Sequence, residues 1–188
     1  MDRLITAHGI SLQMHLPQAR YDAPEQRGRS LTGRTGCGLC GTDSLEAAIR
    51  PVRPVPACGL DPGALAPYFA ELLSQQPLNA RTGAVHAAAV LDADGQLHVR
   101  EDVGRHNAID KAVGATFRAG ATPRALLVTS RASYEVVHKA AEVGIGLVAA
   151  ISAPTALAVR LAQEAGVALV GFARGSRFTV YCEPTAGA

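Results

Sequence analysis

From Asp61 to Cys182 the apolar positions alternate between helical spacing and short continuous runs. Asp61-Pro62 opens a helix, an N-cap residue followed by proline at the first helical position, with Leu65, Phe69, Leu72 and Leu73 as its apolar stripe. Ala84–Leu91 and Gln96–Arg100 read as strands joined by the turn Asp92-Ala93-Asp94-Gly95, a hairpin. A helix follows from Asn107, with Ile109, Ala112, Val113 and Phe117 facing inward. The chain then alternates: strand 125–129, helix 133–143, strand 147–151, helix 155–165, strand 167–172, and a last strand 178–182 after the turn at Arg174-Gly175-Ser176. Strands alternating with helices predict an α/β sandwich, and the uninterrupted runs Ala125–Val128 and Leu147–Ile151 suit parallel strands covered on both faces.

Residues 1–36 differ. Arg20, Arg27, Arg29 and Arg34 are interspersed with Pro, Gly, Asp and Ser, which predicts a mobile lead-in loop with at most a short strand near Ile10–Leu16. That stretch runs into Cys37-Gly38-Leu39-Cys40. A helix is expected just beyond, N-capped by Asp43 or Ser44, with Leu45, Ala48 and Ile49 on its buried face. Pro51 to Pro56 then break the chain.

Composition narrows the classes. An apolar content of 48% allows a sizeable core, but aromatics are only 4% and Trp is absent, so small aliphatic side chains must fill it. A net charge of +2 argues against general nucleic-acid binding. The cations are nearly all arginines, Lys111 and Lys139 excepted, which favours bidentate contacts to phosphate or carboxylate. Four cysteines are too few for a disulfide scaffold, Met1–His8 has no apolar signal core, and no run spans a membrane. The expected compartment is the cytoplasm.

Two thiols three residues apart can share a metal, close a disulfide or carry sulfur. A closed zinc site needs four ligands, and neither Cys58 and Cys182 nor the scattered His86, His98, His106 and His138 supply matching spacing. Zinc nucleobase deaminases carry HxE followed by PCxxC; here His86 precedes Ala87-Ala88, and the CxxC comes earlier and without Pro. A thioredoxin-like motif would follow a buried strand, whereas this one follows an Arg/Gly/Thr loop. A glycine-rich segment before a helix start, with Arg34 nearby, would lower a thiol pKa.

Two further constellations stand out. Glu101-Asp102-Val103-Gly104-Arg105-His106-Asn107-Ala108-Ile109-Asp110-Lys111 concentrates ionisable groups at a helix start, with His106 suited to proton handling. Ser130-Arg131-Ala132-Ser133, Ser152-Ala153-Pro154-Thr155 and Arg174-Gly175-Ser176-Arg177 fall where strands end, the usual ligand-binding edge of such a sheet. Arg131, Arg174 and Arg177 there suit a phosphorylated or nucleotide ligand.

Together, Arg34–Gly41, Thr82–Ala88, Glu101–Lys111, Arg131–Glu135, Ser152–Pro154 and Gly171–Tyr181 resemble the motifs of the FdhD family, accessory sulfurtransferases for formate dehydrogenase, in family order. Ala84 stands in place of a usual second Gly, and Thr129-Ser130-Arg131 in place of Ser-Gly-Arg. The resemblance implies a cytidine-deaminase-like three-layer sandwich with a mixed, mostly parallel sheet, lacking the deaminase zinc residues and any tightly bound metal. It implies a remnant and loop over 1–43, a main domain over 44–183 and a tail over 184–188; residues 1–29 are too short for the family's N-terminal strands.

The implied activity is transfer of persulfide sulfur from a cysteine desulfurase to the molybdenum (or tungsten) bis-pterin guanine dinucleotide cofactor, bound as substrate before insertion into apo-formate dehydrogenase. Cys37 would be the persulfide carrier and Cys40 its helper. Phe172, Ala173, Arg174, Gly175, Ser176 and Arg177 would bind the cofactor, with Arg131, His106 and Asp102 beside it, and the protein would be a homodimer. Two other classes fit the residues: a cofactor-holding chaperone with a structural CxxC, and a zinc-dependent module.

Overall fold

The computed structural model describes residues 2–6, 9–13, 15, 17–18 and 52–183. Cys37, Cys40 and the helix start expected at Asp43 or Ser44 lie outside the described residues, as does the tail over 184–188. The chain divides into two compact units, 1–50 and 51–188.

In the first unit, β1 (Asp2–Thr6) pairs antiparallel with β2 (Gly9–Gln13), Asp2 opposite Gln13 and Thr6 opposite Gly9. His15 Nε2 lies 2.8 Å from an Asp2 carboxylate oxygen. The short strand expected near Ile10–Leu16 corresponds to β2, and the lead-in expected to be a loop supplies a second strand, β1, that pairs with it.

In the second unit a 3₁₀ turn (Pro62–Ala64), capped by the Asp61 carboxylate accepting the Gly63 N–H, leads into α1 (Leu65–Ser74). Leu65, Phe69 and Leu72 are buried as expected, but Leu73 is exposed. Next comes α2 (Pro77–Thr82), too short to show a period; Pro opens it and Gly83, at φ 61°, closes it. The hairpin β3 (His86–Asp92) and β4 (Leu97–Asp102) follows. Its turn is built on buried Asp92, whose carboxylate accepts the N–H of Asp94 (3.0 Å) and Gln96 (2.8 Å) and bonds His98 Nε2 at 2.8 Å. Burial alone would raise the Asp92 pKa, but these donors outweigh it and lower it.

Then come α3 (Arg105–Arg118), β5 (Pro123–Val128), α4 (Tyr134–Glu142), β6 (Leu147–Ala150), α5 (Ala156–Ala165), β7 (Ala168–Arg174) and β8 (Arg177–Cys182). On α3, Ala108, Ile109, Ala112 and Thr116 face inward, while the expected core residue Phe117 is exposed.

The sheet order is β4-β3-β5-β6-β7-β8. Only β5/β6 and β6/β7 pair parallel; β4/β3, β3/β5 and β7/β8 are antiparallel, so the sheet is mixed but not mostly parallel. The reason is topological. β4 and β5 do run in one direction, as a strand–helix–strand unit should, but β3 lies between them and pairs antiparallel with both. β8 follows β7 through Gly175-Ser176, too short for a crossover.

Three layers result. Ala87, Ala89, Leu91, Leu127, Leu147, Ala149, Ala168 and Val170 pack with Leu65, Phe69 and Leu72 of α1. By the alternation of strands, buried Ala88, Val90, Leu126, Val128, Val148, Ala150 and Leu169 face the other way, toward α3, α4 and α5. Small aliphatics fill both layers, as the scarcity of aromatics predicted. At Gly146 an added Cβ would collide with the Pro56 carbonyl oxygen and the Cys58 backbone nitrogen, because the 52–61 segment crosses over the start of β6. That segment is tied down by Val55 N–H to the Ala165 carbonyl (2.9 Å) and by Arg124 to the Cys58 carbonyl (2.7 Å).

Candidate functional site

The parallel strands β5, β6 and β7 end at one edge of the sheet, and β4 runs with them. The helices that follow β4, β5 and β6 therefore begin at that edge. Three N-termini, those of α3, α4 and α5, direct their first-turn backbone and positive dipole ends there. His86 opens β3 at the same edge, opposite Asp102. The β7–β8 hairpin extends beyond it, with Arg174 paired to Arg177 in the ladder.

The loops at this edge are fixed by local bonds. Thr129 prolongs the β3–β5 ladder: its Oγ1 accepts the Ala87 N–H at 2.9 Å, and its own N–H donates to the Ala87 carbonyl at 3.0 Å. Buried Ser130 donates to the Arg131 carbonyl at 3.1 Å, leaving Arg131 exposed. Ala132 forms a parallel bridge with Pro154, and Thr155 N–H donates to the Ala132 carbonyl at 3.0 Å. Thr155 then caps α5, its Oγ1 accepting the Ala158 N–H.

Of the expected ligand segment, Phe172, Arg174, Gly175, Ser176 and Arg177 are exposed, whereas Ala173 sits in the core layer facing α1. Arg131, Arg174, Arg177, His106 and Asp102 all belong to elements that reach this one edge.

The Glu101–Lys111 run proves to be a brace. The Glu101 carboxylate caps α2, accepting the N–H groups of Leu78 (2.9 Å) and Asn79 (2.8 Å). Asp102 accepts the Gly104 N–H at 2.9 Å and Asn107 Nδ2 at 3.2 Å, and is ion-paired with Lys111. Burial would raise the Asp102 pKa, but the bonds from Lys111, Gly104 and Asn107 prevail and hold it below the ordinary carboxylate value. His106 Nε2 lies 2.7 Å from a Glu135 carboxylate oxygen, joining the first turns of α3 and α4, and Lys139 holds Asp110 at 2.6 and 2.8 Å further along the same pair of helices. Sequence reasoning placed no role on Glu135 or on the Glu101 cap. The former had a signal, an acidic residue two positions after the helix N-cap Ser133.

A groove of about 1030 Å³ runs along the free side of β4, lined among others by Leu78, His98, Arg100, Glu101, Lys111 and Arg118; it shares Glu101 and Lys111 with the brace but none of Arg131, Arg174 and Arg177. Among the described residues no three His, Cys, Asp or Glu side chains gather as metal ligands, and no helix is long and apolar enough to cross a membrane.

The model of the FdhD/NarQ family matches residues 4–186. The chain belongs to that family. Its relatives include the sulfur carrier protein FdhD of Xanthomonas campestris pv. campestris, 54% identical over 181 residues, and that of Cupriavidus necator, 50% identical over 181 residues. Each alignment covers 94% of this chain but only 64% and 63% of the respective relative, so the chain spans less than two thirds of their length. Among solved structures, a candidate formate dehydrogenase accessory protein from Desulfotalea psychrophila matches with a TM-score of 0.60 and 29% identity, over 72% of this chain and 58% of that one. Within this FdhD/NarQ member, the CxxC at Cys37 and Cys40 lies outside the described residues, while the other motif segments that the sequence singled out converge on the helix N-termini and hairpin above.

Proposed function

We propose that this chain is a sulfur carrier: it accepts persulfide sulfur from a cysteine desulfurase and passes it to a molybdenum (or tungsten) bis-pterin guanine dinucleotide destined for formate dehydrogenase. Cys37 is the carrier. Its thiolate attacks the outer sulfur of the donor persulfide, the donor's thiolate leaves, and Cys37 becomes the persulfide. Cys40 assists release: its thiolate attacks the inner, Cys37 sulfur of the persulfide, hydrosulfide leaves for the acceptor, and the Cys37–Cys40 disulfide that remains is reopened by an external thiol reductant. The segment 1–43 presents the thiols and the main domain holds the dinucleotide, in a cytoplasmic homodimer.

The observation that carries the reading is the convergence of three helix N-termini with Arg131, Arg174 and Arg177 at one sheet edge. Helix N-termini and guanidinium forks both favour phosphate oxygens, and a dinucleotide supplies several. His106, steadied by Glu135, stands at the same edge. The family membership and the relatives' description as sulfur carriers support the chemistry.

Calorimetric titration with GDP, the accessible end of the dinucleotide, tests the binding half. The expected result is saturable binding by the wild type and at least roughly tenfold weaker binding by Arg174→Ala/Arg177→Ala, as loss of charge-assisted hydrogen bonds requires. No binding by the wild type, or equal binding by the variant, contradicts it.

A further inference from the structure

β4 ends the sheet. It pairs with β3 on one side and, among the described residues, with nothing on the other. The hydrogen-bonding phase of the hairpin is set at its turn, where the Asp92 N–H donates to the Gln96 carbonyl at 3.0 Å. Beyond Gln96, His98, Arg100 and Asp102 therefore turn their backbone groups to β3, and Leu97, Val99 and Glu101 direct theirs outward. These outward groups repeat at about 6.8 Å, the period that an added strand would match.

A bare edge invites unwanted pairing unless it is blocked. Here the block covers carbonyls only. Arg100 donates to the Val99 carbonyl at 2.6 Å, and Lys111 to the Glu101 carbonyl at 3.3 Å. No such cover lies over the N–H groups of Leu97, Val99 and Glu101 among the described residues.

The groove beside this edge has two unlike walls. Val99 and Glu101 point to the α1 side: Val99 joins that core layer and Glu101 caps α2, so Pro77 and Leu78 form the wall there, with Leu78 45% exposed. Alternation turns His98 and Arg100 to the α3 side, where Arg118 also lines the groove. Most charges here are matched: Glu101 by the α2 N–H groups, Lys111 by Asp102, Asp110 by Lys139 and His98 by Asp92. Exposed Arg100 and Arg118 have no carboxylate partner among the described residues. One wall is thus apolar and the other carries two uncompensated cations.

An extended peptide whose side chains alternate between acidic and apolar satisfies all of this. Its carbonyls accept from the outward N–H groups, its carboxylates meet Arg100 and Arg118, and its apolar side chains lie on Pro77 and Leu78. We propose that the β4 edge docks such a segment of a partner protein, which adds to the sheet as a strand. Arg100 exchanges its bond to the Val99 carbonyl for the incoming carboxylate, and that carbonyl then accepts a peptide N–H. β4 and the β7–β8 hairpin lie at opposite ends of the sheet, so the docked segment leaves Arg174 and Arg177 accessible.

The test uses the whole chain and two capped nine-residue peptides, one alternating valine with glutamate and one alternating valine with lysine. Binding is read by calorimetry and by amide hydrogen exchange. The glutamate peptide should bind saturably below about 1 mM and at least roughly tenfold tighter than the lysine peptide, and Arg100→Gln/Arg118→Gln should weaken it about fivefold or more. With it bound, exchange should slow at Leu97, Val99 and Glu101 and stay unchanged at His98 and Arg100, whose N–H groups already face β3. No saturable binding, equal affinity for the two peptides, or undiminished affinity in the double variant overturns the proposal. Binding without added protection at the three outward amides overturns strand addition. Slow exchange at those amides before peptide is added, lost on dilution, assigns the edge to a second copy of the chain and overturns the proposal as well.

Discussion

Replacing Asp102 by Asn separates an architectural role from a purely ligand-facing one. In the wild type Oδ1 accepts the Gly104 N–H and Asn107 Nδ2, and Oδ2 pairs with Lys111, so one carboxylate fixes the turn from β4 into α3. Asparagine keeps an acceptor for Gly104 but sets an amide NH₂ against the Lys111 ammonium. Converting the charge-assisted bonds to neutral ones costs about 1 kcal/mol, and the ion pair adds about 0.5 kcal/mol because solvent screens the half-exposed Lys111. A total of about 1.5 kcal/mol lowers Tm by roughly 3–6 °C for a chain of this size. The sign with pH follows from the depressed folded-state pKa. The contribution is fully present above the unfolded-state pKa of about 3.9 and is lost as pH falls through the lower folded-state value. Urea unfolding of both proteins from pH 7 to about pH 3 should therefore show a gap that is constant near neutrality and closes in acid. A gap of zero at neutral pH, or one independent of pH, refutes the reasoning; a residue serving only a ligand would leave the unliganded protein's stability unchanged.

Glu101→Gln should leave the α2 N-terminus poorly capped, cost about 1 kcal/mol and speed amide exchange at Leu78 and Asn79 specifically. Gly146→Ala should destabilise the protein by about 1–3 kcal/mol in urea unfolding, because its methyl group meets the backbone of Pro56 and Cys58 in a segment pinned at both sides. Burial raises the Cys182 pKa, and its thiol donates to the Val159 carbonyl. In a Cys37→Ser/Cys40→Ser background, Cys58 should therefore react with a thiol reagent first and Cys182 only on unfolding; equal rates would contradict that burial.

The strand–helix alternation after residue 105 was legible because each strand is a short apolar run and each helix carries a stripe. The neighbour relations were not. Nothing local announces that β3 inserts between β4 and β5, which turns a parallel expectation into antiparallel pairings. Leu73 and Phe117 fit helical stripes by spacing but lie at their margins, beyond the width that the sheet covers. The density of charge in Glu101–Lys111 was visible, yet its partners Leu78, Glu135 and Lys139 lie more than twenty residues from theirs in sequence, so only the fold reveals the brace. The β7/β8 register shift between Gly171 and Arg174 was invisible because β7 is apolar on both faces from Ala168 to Ala173, leaving no alternation whose break would mark an inserted residue.

The central claim is that Cys37 carries sulfur. Intact-mass analysis after incubation with a cysteine desulfurase and cysteine tests it most directly. The account predicts addition of one sulfur atom to the wild type, its removal by a thiol reductant, and its absence in Cys37→Ala with Cys40 intact. An unmodified wild type, or undiminished loading in Cys37→Ala, would contradict it.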